Sequence, residues 1–61
     1  LFREGEHKSR TKTGEEAVEL LLARSREELT HESADLVYHL LVLLEATGIG
    51  VEALLAELGS R

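Results

Sequence analysis

Cysteine and methionine are both missing from the 61 residues of this chain. Without cysteine the chain can form neither disulfide bonds nor thiolate metal sites, a composition compatible with a reducing cytoplasm, where we expect the protein to act. Without an initiator methionine we expect the chain to begin downstream of a translation start. At this length we expect a single domain over residues 1–61, burying only about 60% of its unfolded surface.

Basic residues and long apolar runs are also scarce. The chain has 7 lysines and arginines against 12 aspartates and glutamates, for a net charge of −5. This balance argues against nonspecific nucleic-acid binding, which depends on basic surface. The longest apolar run, residues 40–44, is far too short to cross a bilayer. We therefore expect a soluble protein that binds neither nucleic acid nor membrane.

No stretch alternates polar and apolar residues for long enough to indicate a strand, so the predicted fold class is all-α. Residues 1–13 are interpreted as a polar arm or a frayed helix, because residues 3–13 are polar throughout. A first helix is expected from Gly14 to about Arg24. It carries enough leucine, valine and alanine to present a wide apolar surface.

Ser25 predicts the start of a second helix. Its side chain can accept a hydrogen bond from the amide of Glu28, and the Glu28 side chain can reach back in a reciprocal capping box. This helix is expected over residues 26–47. Gly48 suits the position just after it, because glycine enters the left-handed region without a Cβ clash. The expected fold is a short helical hairpin plus a third, C-terminal helix from about Val51.

Four carboxylates form two matching pairs, Glu16 with Glu19 and Glu32 with Asp35, each spaced i, i+3. On a helix such residues share one face, with Cβ atoms about 5–6 Å apart. Both pairs adjoin apolar residues, so we expect them to be partly buried where the helices meet. Crowded carboxylates repel one another and lose hydration, a cost that a bound cation removes. Two such helices side by side would form a four-oxygen cage for a hard cation; the alternative is that both pairs lie on solvated helix faces.

The second helix has more apolar surface than this chain can cover. Between residues 36 and 44 only Tyr38 and His39 interrupt the apolar side chains, and a helix that is apolar nearly all round must be covered nearly all round. We therefore predict a homodimeric helical bundle. The alternative is that a segment preceding this chain supplies the cover. The candidates for the shared core are Leu40, Leu41 and Leu44.

Two stretches, residues 12–20 and 32–44, resemble phosphoribosyl-ATP pyrophosphohydrolase, the second enzyme of histidine biosynthesis, and residues 48–58 are similar to that family's last helix. The wider pattern, Glu-Glu-x-x-Glu followed by Glu-x-x-Asp, is shared by the all-α, MazG-like nucleoside triphosphate pyrophosphohydrolases. The resemblance spans essentially the whole chain. It implies Mg²⁺-dependent hydrolysis of phosphoribosyl-ATP to phosphoribosyl-AMP and pyrophosphate.

The resemblance itself implies the magnesium ligands, and charge and position in the chain suggest roles for four further residues. Glu15 would bind a second ion or accept the proton of the attacking water; alternatively, it is an acid at a helix N-terminus, favoured by the helix dipole. Lys12 would contact substrate phosphates, with further charge from Lys8 and Arg10, unless these bases belong to a solvated, mobile tail. The implied magnesium ligands are Glu16, Glu19, Glu32 and Asp35.

The chain departs from the family pattern at its start. The family usually has a further helix ahead of Leu1, and apolar residues where this chain has Ser9, Arg10 and Thr13. These substitutions predict a weakly amphipathic lead-in to the first acidic helix. The docking of residues 3–13 and any phosphate contacts that they make depend on that lead-in.

Other polar residues and other functions remain open at this point. His39 is expected to be a core or interface histidine, and Tyr38 either stacks on an adenine or anchors the core. No role is assigned to His31 or His7. One alternative function is a house-cleaning pyrophosphohydrolase of free or noncanonical nucleotides that uses the same four acids. Another is a non-catalytic helical interaction module.

Overall fold

The computed structural model describes residues 4–61, all of whose regular structure is helical. Helix α1 spans Glu4–Leu21, α2 spans Arg26–Ala46 and α3 spans Val51–Gly59. The first two helices pack against each other as a hairpin, and the chain bends by 116° between α2 and α3. The prediction of an all-α fold with a hairpin and a third helix is confirmed.

Helix α1 begins ten residues earlier than predicted. The prediction of a start at Gly14 is wrong, because residues 4–13 continue the same helix; residues 1–3 of the predicted arm lie outside the described residues. Two acids, Glu4 and Glu6, occupy the first turn, where the helix dipole favours negative charge.

Contacts with α2 explain why this polar segment is helical. Ser9 and Thr13, two residues expected to weaken the lead-in, are half-buried. The single hydroxyl proton of Thr13 is shared between two acceptors, the carbonyl of Ser9 at 2.7 Å within the helix and the carbonyl of His39 at 3.2 Å across the hairpin. Small polar residues therefore let the two helices approach closely and give them a direct polar contact.

The predicted capping box of α2 is confirmed for the bond that Ser25 accepts and wrong for the reciprocal bond to Glu28. Ser25 has an extended backbone, and its Oγ accepts from the Glu28 amide at 3.0 Å. The Glu28 carboxylate accepts from the amide of Arg24 at 2.8 Å, one residue earlier than in the reciprocal capping box. The Ser25 bond satisfies one of the first free amides of the helix, that of Glu28, and the second bond ties the residue before the cap to the first turn.

Gly48 ends α2 as expected. Its φ is +77°, a conformation that a residue with a Cβ rarely adopts. The Ile49 amide donates to the carbonyl of Leu44 at 2.8 Å, and the Gly48 amide donates to that of Glu45 at 3.1 Å. This bond pair is the Schellman motif, which satisfies the last carbonyls of a helix and turns the chain away from its axis.

The molecule is flat. Its principal extents are 35 × 30 × 14 Å. Among residues 4–61 no apolar side chain is buried. We call the large apolar side chains that are exposed over residues 37–58, in the second half of α2, in α3 and in their connection, the outer apolar surface. Its members are Val37, Tyr38, Leu41, Val42, Ile49, Val51, Leu55 and Leu58.

Among the described residues, no single helix is both long enough and apolar enough to cross a membrane. The bent pair of α2 and α3, considered together, has sufficient length and apolar composition.

Candidate metal and phosphate site

The contact between α1 and α2 is unusually polar. Side chains that are half-buried or buried there include acids, hydroxyls and a histidine as well as leucines and alanines. We call the polar members the polar seam. They are Glu6, Ser9, Thr13 and Glu16 of α1 and Glu32, Ser33, Asp35 and His39 of α2.

Glu16 is the most enclosed member of the polar seam. It is 8% exposed and is the single buried residue within residues 4–61. The ammonium of Lys12, one turn earlier, lies 3.3 Å from a Glu16 carboxylate oxygen and 3.9 Å from one of Glu15. A buried carboxylate needs a partner to offset its lost hydration. The site therefore already attracts positive charge.

The antiparallel register brings the two acidic pairs to matching levels. The bond between Thr13 and the His39 carbonyl marks where the helices meet. At a rise of 1.5 Å per residue, Glu16 lies about 4.5 Å and Asp35 about 6 Å from that level, in the same direction. Glu19 and Glu32 lie about 9 Å and about 10.5 Å from it by the same measure.

The second acidic pair forms a tight cluster with a histidine. The Nε2 atom of His31 lies 3.4 Å from an Asp35 carboxylate oxygen. One ligand atom from each of His31, Glu32 and Asp35 lies within 4.8 Å of the others. Glu32 and Asp35 are half-buried, whereas His31 is exposed. These three residues are a compact set of nitrogen and oxygen donors on one side of α2.

The first acidic pair is less compact. Glu16 points into the polar seam, whereas Glu19 is exposed, and neither belongs to the cluster around Asp35. The two residues are about 60° apart around α1. The four predicted ligands thus share one end of the hairpin without converging on a single point among the described side chains.

Glu15 is mid-helix. The alternative reading that it is an acid at a helix N-terminus is wrong, because α1 begins eleven residues earlier, at Glu4. Its side chain is exposed and shares Lys12 with Glu16. It lies about 40° from Glu19 around the helix, so the two carboxylates flank the polar seam on the same side.

The three predicted phosphate contacts do not share one face. Lys8 precedes Lys12 by one turn on the same stripe of α1, and its ammonium lies 3.4 Å from Glu4. Arg10 is about 160° away from Lys12 around the helix, so it faces a different direction. All three are exposed and helical, which differs from the mobile tail considered above.

The whole chain, residues 1–61, matches the family model described as phosphoribosyl-ATP pyrophosphohydrolase. The chain belongs to this family. The family resemblance noted in the sequence is thereby confirmed.

Several relatives carry the corresponding name. The phosphoribosyl-ATP pyrophosphatase of Halobacterium salinarum is 53% identical over 60 residues, which cover 93% of this chain and 63% of the relative. That of Pelotomaculum thermopropionicum is 52% identical over 64 residues, covering 100% of this chain and 65% of the relative. The histidine biosynthesis bifunctional protein HisIE of Pyrococcus furiosus is 49% identical over 61 residues, covering 100% of this chain and 29% of the relative.

The chain therefore spans less than two thirds of the length of these three relatives. No solved structure matches it significantly.

The donor set of this family member fits a hard divalent cation. Mg²⁺ prefers oxygen ligands and usually takes one or two carboxylates together with water and substrate phosphates. The polar seam offers carboxylates at two matching levels, and the buried one among them, Glu16, already has a cation as its neighbour. A metal ion would take over the neutralising role that the Lys12 ammonium has in this arrangement.

His31 is the one residue of the cluster that sequence reasoning left without a role. Its spacing from Asp35, i, i+4, is a signal that could have identified it, because such residues are neighbours on a helix surface. Tyr38 and His39 lie next to each other with ring centroids 5.0 Å apart in an edge-to-face contact. His39 is half-buried at the hairpin contact, in agreement with the expected interface position, and Tyr38 is exposed.

Proposed function

We propose that the protein hydrolyses phosphoribosyl-ATP between the α and β phosphorus atoms in the cytoplasm. The products are phosphoribosyl-AMP and pyrophosphate, as in the second step of histidine biosynthesis. Family membership over residues 1–61 supports the substrate class. The observation that carries the proposal is the pairing of Glu16 and Glu19 with Glu32 and Asp35 at matching levels of one hairpin.

The four carboxylates would hold Mg²⁺ together with the substrate phosphates. The ion would supply charge neutralisation of the triphosphate and polarisation of the anhydride bond. Glu16 and Asp35 are suited to direct binding, because both are at least half-buried beside the hairpin contact. Glu19 and Glu32 extend the acidic surface by one helical turn towards the loop.

Lys12 would bind a phosphate oxygen of the substrate. Its side chain is about half exposed, so it can leave Glu16 and reach solvent without breaking the hairpin. Lys8, on the same stripe of α1, would add a second positive charge one turn away. Glu15 would accept the proton of the attacking water, because its carboxylate is exposed on the side of the helix that carries Glu19.

We further propose that the active form is a homodimer. The chain exposes 5013 Å², about 1,000 Å² more than a compact monomer of 6.8 kDa. A stable interface buries about 800 Å² per partner, so one interface removes most of this excess. The outer apolar surface is the proposed contact. Leu41, at its centre, is exposed, whereas Leu40 and Leu44 are half-buried.

The decisive experiment measures pyrophosphate release from phosphoribosyl-ATP, ATP and dUTP at several Mg²⁺ concentrations. We expect turnover of phosphoribosyl-ATP that needs Mg²⁺ and exceeds turnover of the other two substrates. Faster hydrolysis of ATP or dUTP would assign the protein to house-cleaning of nucleotides instead. If no substrate is turned over and no divalent ion shifts the melting curve, the protein is a non-catalytic helical module.

Light scattering at micromolar concentration tests the dimer separately. We expect a mass of twice 6.8 kDa. A compact monomer would contradict the proposed interface and would leave the proposed reaction to be decided by the substrate comparison.

A further inference from the structure

His31 has a geometry that the four-carboxylate site does not require. It is exposed at the edge of α2, yet its Nε2 atom lies 3.4 Å from the carboxylate of Asp35. With Glu32, it completes a group of three possible ligand atoms within 4.8 Å of one another. The i, i+4 spacing accounts for the proximity of His31 and Asp35, and Glu32 adds the third possible ligand atom.

The spacing within this cluster suits coordination of one ion. Two ligand atoms, each about 2.1 Å from a tetrahedral ion, are about 3.4 Å apart, which matches the distance between His31 and Asp35. The three ligand atoms all lie within 4.8 Å of one another. Because two ligands of a tetrahedral ion are about 3.4 Å apart, changes of at most about 1.4 Å in these separations would complete the coordination.

The donor types differ from those of a pure magnesium site. Carboxylate and water oxygens suit Mg²⁺, whereas imidazole nitrogen suits transition-metal ions, whose affinities for such sites rise from Mn²⁺ to Cu²⁺ and fall again at Zn²⁺. Replacing one water by the His31 nitrogen would therefore strengthen binding of these ions and do little for Mg²⁺.

We propose that His31 is an additional ligand that lets the Glu32 and Asp35 half of the site accept transition-metal divalent cations, Mn²⁺ and Zn²⁺ among them, more tightly than Mg²⁺. The inference rests on the proposed function, because it assumes that the acidic pairs bind a metal. It assigns His31 to metal selectivity and leaves the reaction unchanged.

Calorimetric titration of the protein and of His31→Ala with MnCl₂ and with MgCl₂ tests the proposal. We expect His31→Ala to weaken Mn²⁺ binding about 10- to 100-fold and to change Mg²⁺ binding less than about twofold, because Mg²⁺ keeps water in preference to imidazole. In ¹⁵N NMR spectra, Zn²⁺ should shift the ring nitrogen resonances of His31.

His7→Ala is the matched control, since His7 is another exposed histidine on a helix. It should leave both affinities unchanged. Equal weakening of Mn²⁺ and Mg²⁺ binding by His31→Ala would mean that His31 only orients Asp35, and unchanged affinities would mean that it is solvated; each result overturns the proposal.

Failure of the inference is distinguishable from failure of the proposed function. If His31→Ala binds both ions like the unmodified protein and still hydrolyses phosphoribosyl-ATP with Mg²⁺, only the role of His31 is wrong. If the unmodified protein binds neither ion, both the metal site and this inference are wrong.

Discussion

The inner contact of the hairpin and the outer apolar surface reverse the usual distribution of polar and apolar residues. Between α1 and α2 the most buried residue is a glutamate, Glu16, at 8% exposure. On the outside, Leu55 is 59% and Leu58 55% exposed. A chain folding alone would be expected to bury its leucines and expose its acids. The difference teaches that the inner contact is organised around charge, and that the outer apolar surface is the part of the molecule on which the proposed dimer depends.

The two regions also depend on each other. Polar residues in the polar seam contribute less to folding than apolar residues would, because they bury less apolar surface. A chain of this size has only a small free energy of folding, so this difference matters. Covering the outer apolar surface in a dimer would supply that free energy from outside the hairpin. Substitutions in the polar seam should therefore change activity without changing the oligomeric state, and substitutions in the outer apolar surface should change the oligomeric state first.

The largest effect is expected from the double substitution Glu16→Gln and Glu19→Gln. Removing two anionic oxygens should reduce pyrophosphate release from phosphoribosyl-ATP by about 100- to 1,000-fold or more, the range seen when groups that stabilise transition-state charge are removed. The dimer should persist. Turnover is measured by a pyrophosphate assay and mass by light scattering.

The control is Glu27→Gln with Glu52→Gln, which removes the same charge from two exposed acids outside the polar seam. It should retain turnover within about twofold, because exposed charges are screened. Full activity in the double substitution at Glu16 and Glu19 would reject the metal assignment.

The outer apolar surface is tested by Leu41→Asp. A charge at the centre of an interface should weaken association by about 2 kcal/mol or more, which is about 30-fold in the dissociation constant. Light scattering over a dilution series measures it. Leu41→Met keeps an apolar side chain of similar volume and should remain dimeric. Equal masses for the two variants would remove Leu41 from the interface.

Lys12→Met tests whether Glu16 depends on its counter-ion. Because Glu16 is buried and Lys12 is half exposed, we expect a loss of about 1–2 kcal/mol in the free energy of unfolding, between the values for exposed and buried pairs. The melting temperature should fall and should recover when Mg²⁺ is added, since the ion replaces the ammonium. Lys8→Met breaks an exposed pair with Glu4 and should have a smaller effect.

Recovery of the melting temperature with Mg²⁺ is the result that tests the proposed metal site beside Glu16. If Lys12→Met is destabilised equally with and without Mg²⁺, the ion does not bind next to Glu16, and the deficit reflects only the lost ion pair.

The smallest effect is expected from Thr13→Val. It removes the hydroxyl that donates to the His39 carbonyl across the hairpin and should lower the free energy of unfolding by about 1 kcal/mol. Thr30→Val is matched, because the Thr30 hydroxyl bonds only within α2, to the carbonyl of Arg26. Denaturant unfolding of both variants isolates the contact between the helices. An equal loss in both would show that the interhelical bond adds nothing.

Much of the fold was predictable because its signals are local. The cap at Ser25 and the turn at Gly48 use hydrogen bonds between residues at most five apart, so their sequence patterns identify the limits of α2 within one residue. The start of α1 was not predictable in this way. Residues 4–13 have no apolar stripe, and the contact of Thr13 with His39 joins residues far apart in the chain.

In the candidate site, too, the sequence predicted the features that depend on local spacing but not those that depend on helix packing. The i, i+3 spacing of the acids identified the residues, because helical periodicity alone places each pair on one face. It could not distinguish buried Glu16 from exposed Glu19, since that depends on how α1 is rotated against α2. The place of His31 beside Asp35 follows from their i, i+4 spacing, and the side-chain positions add the distance of 3.4 Å between them.

By itself, then, the sequence determined the helices of the hairpin and of α3, the bonds that begin and end α2, the acidic pairs and the family to which the chain belongs. The tertiary structure decided the length of α1, the register of the hairpin and the burial of Glu16. The physical reason is range: caps and helical faces depend on neighbours within a few residues, whereas register and burial depend on which surfaces of two separate helices meet.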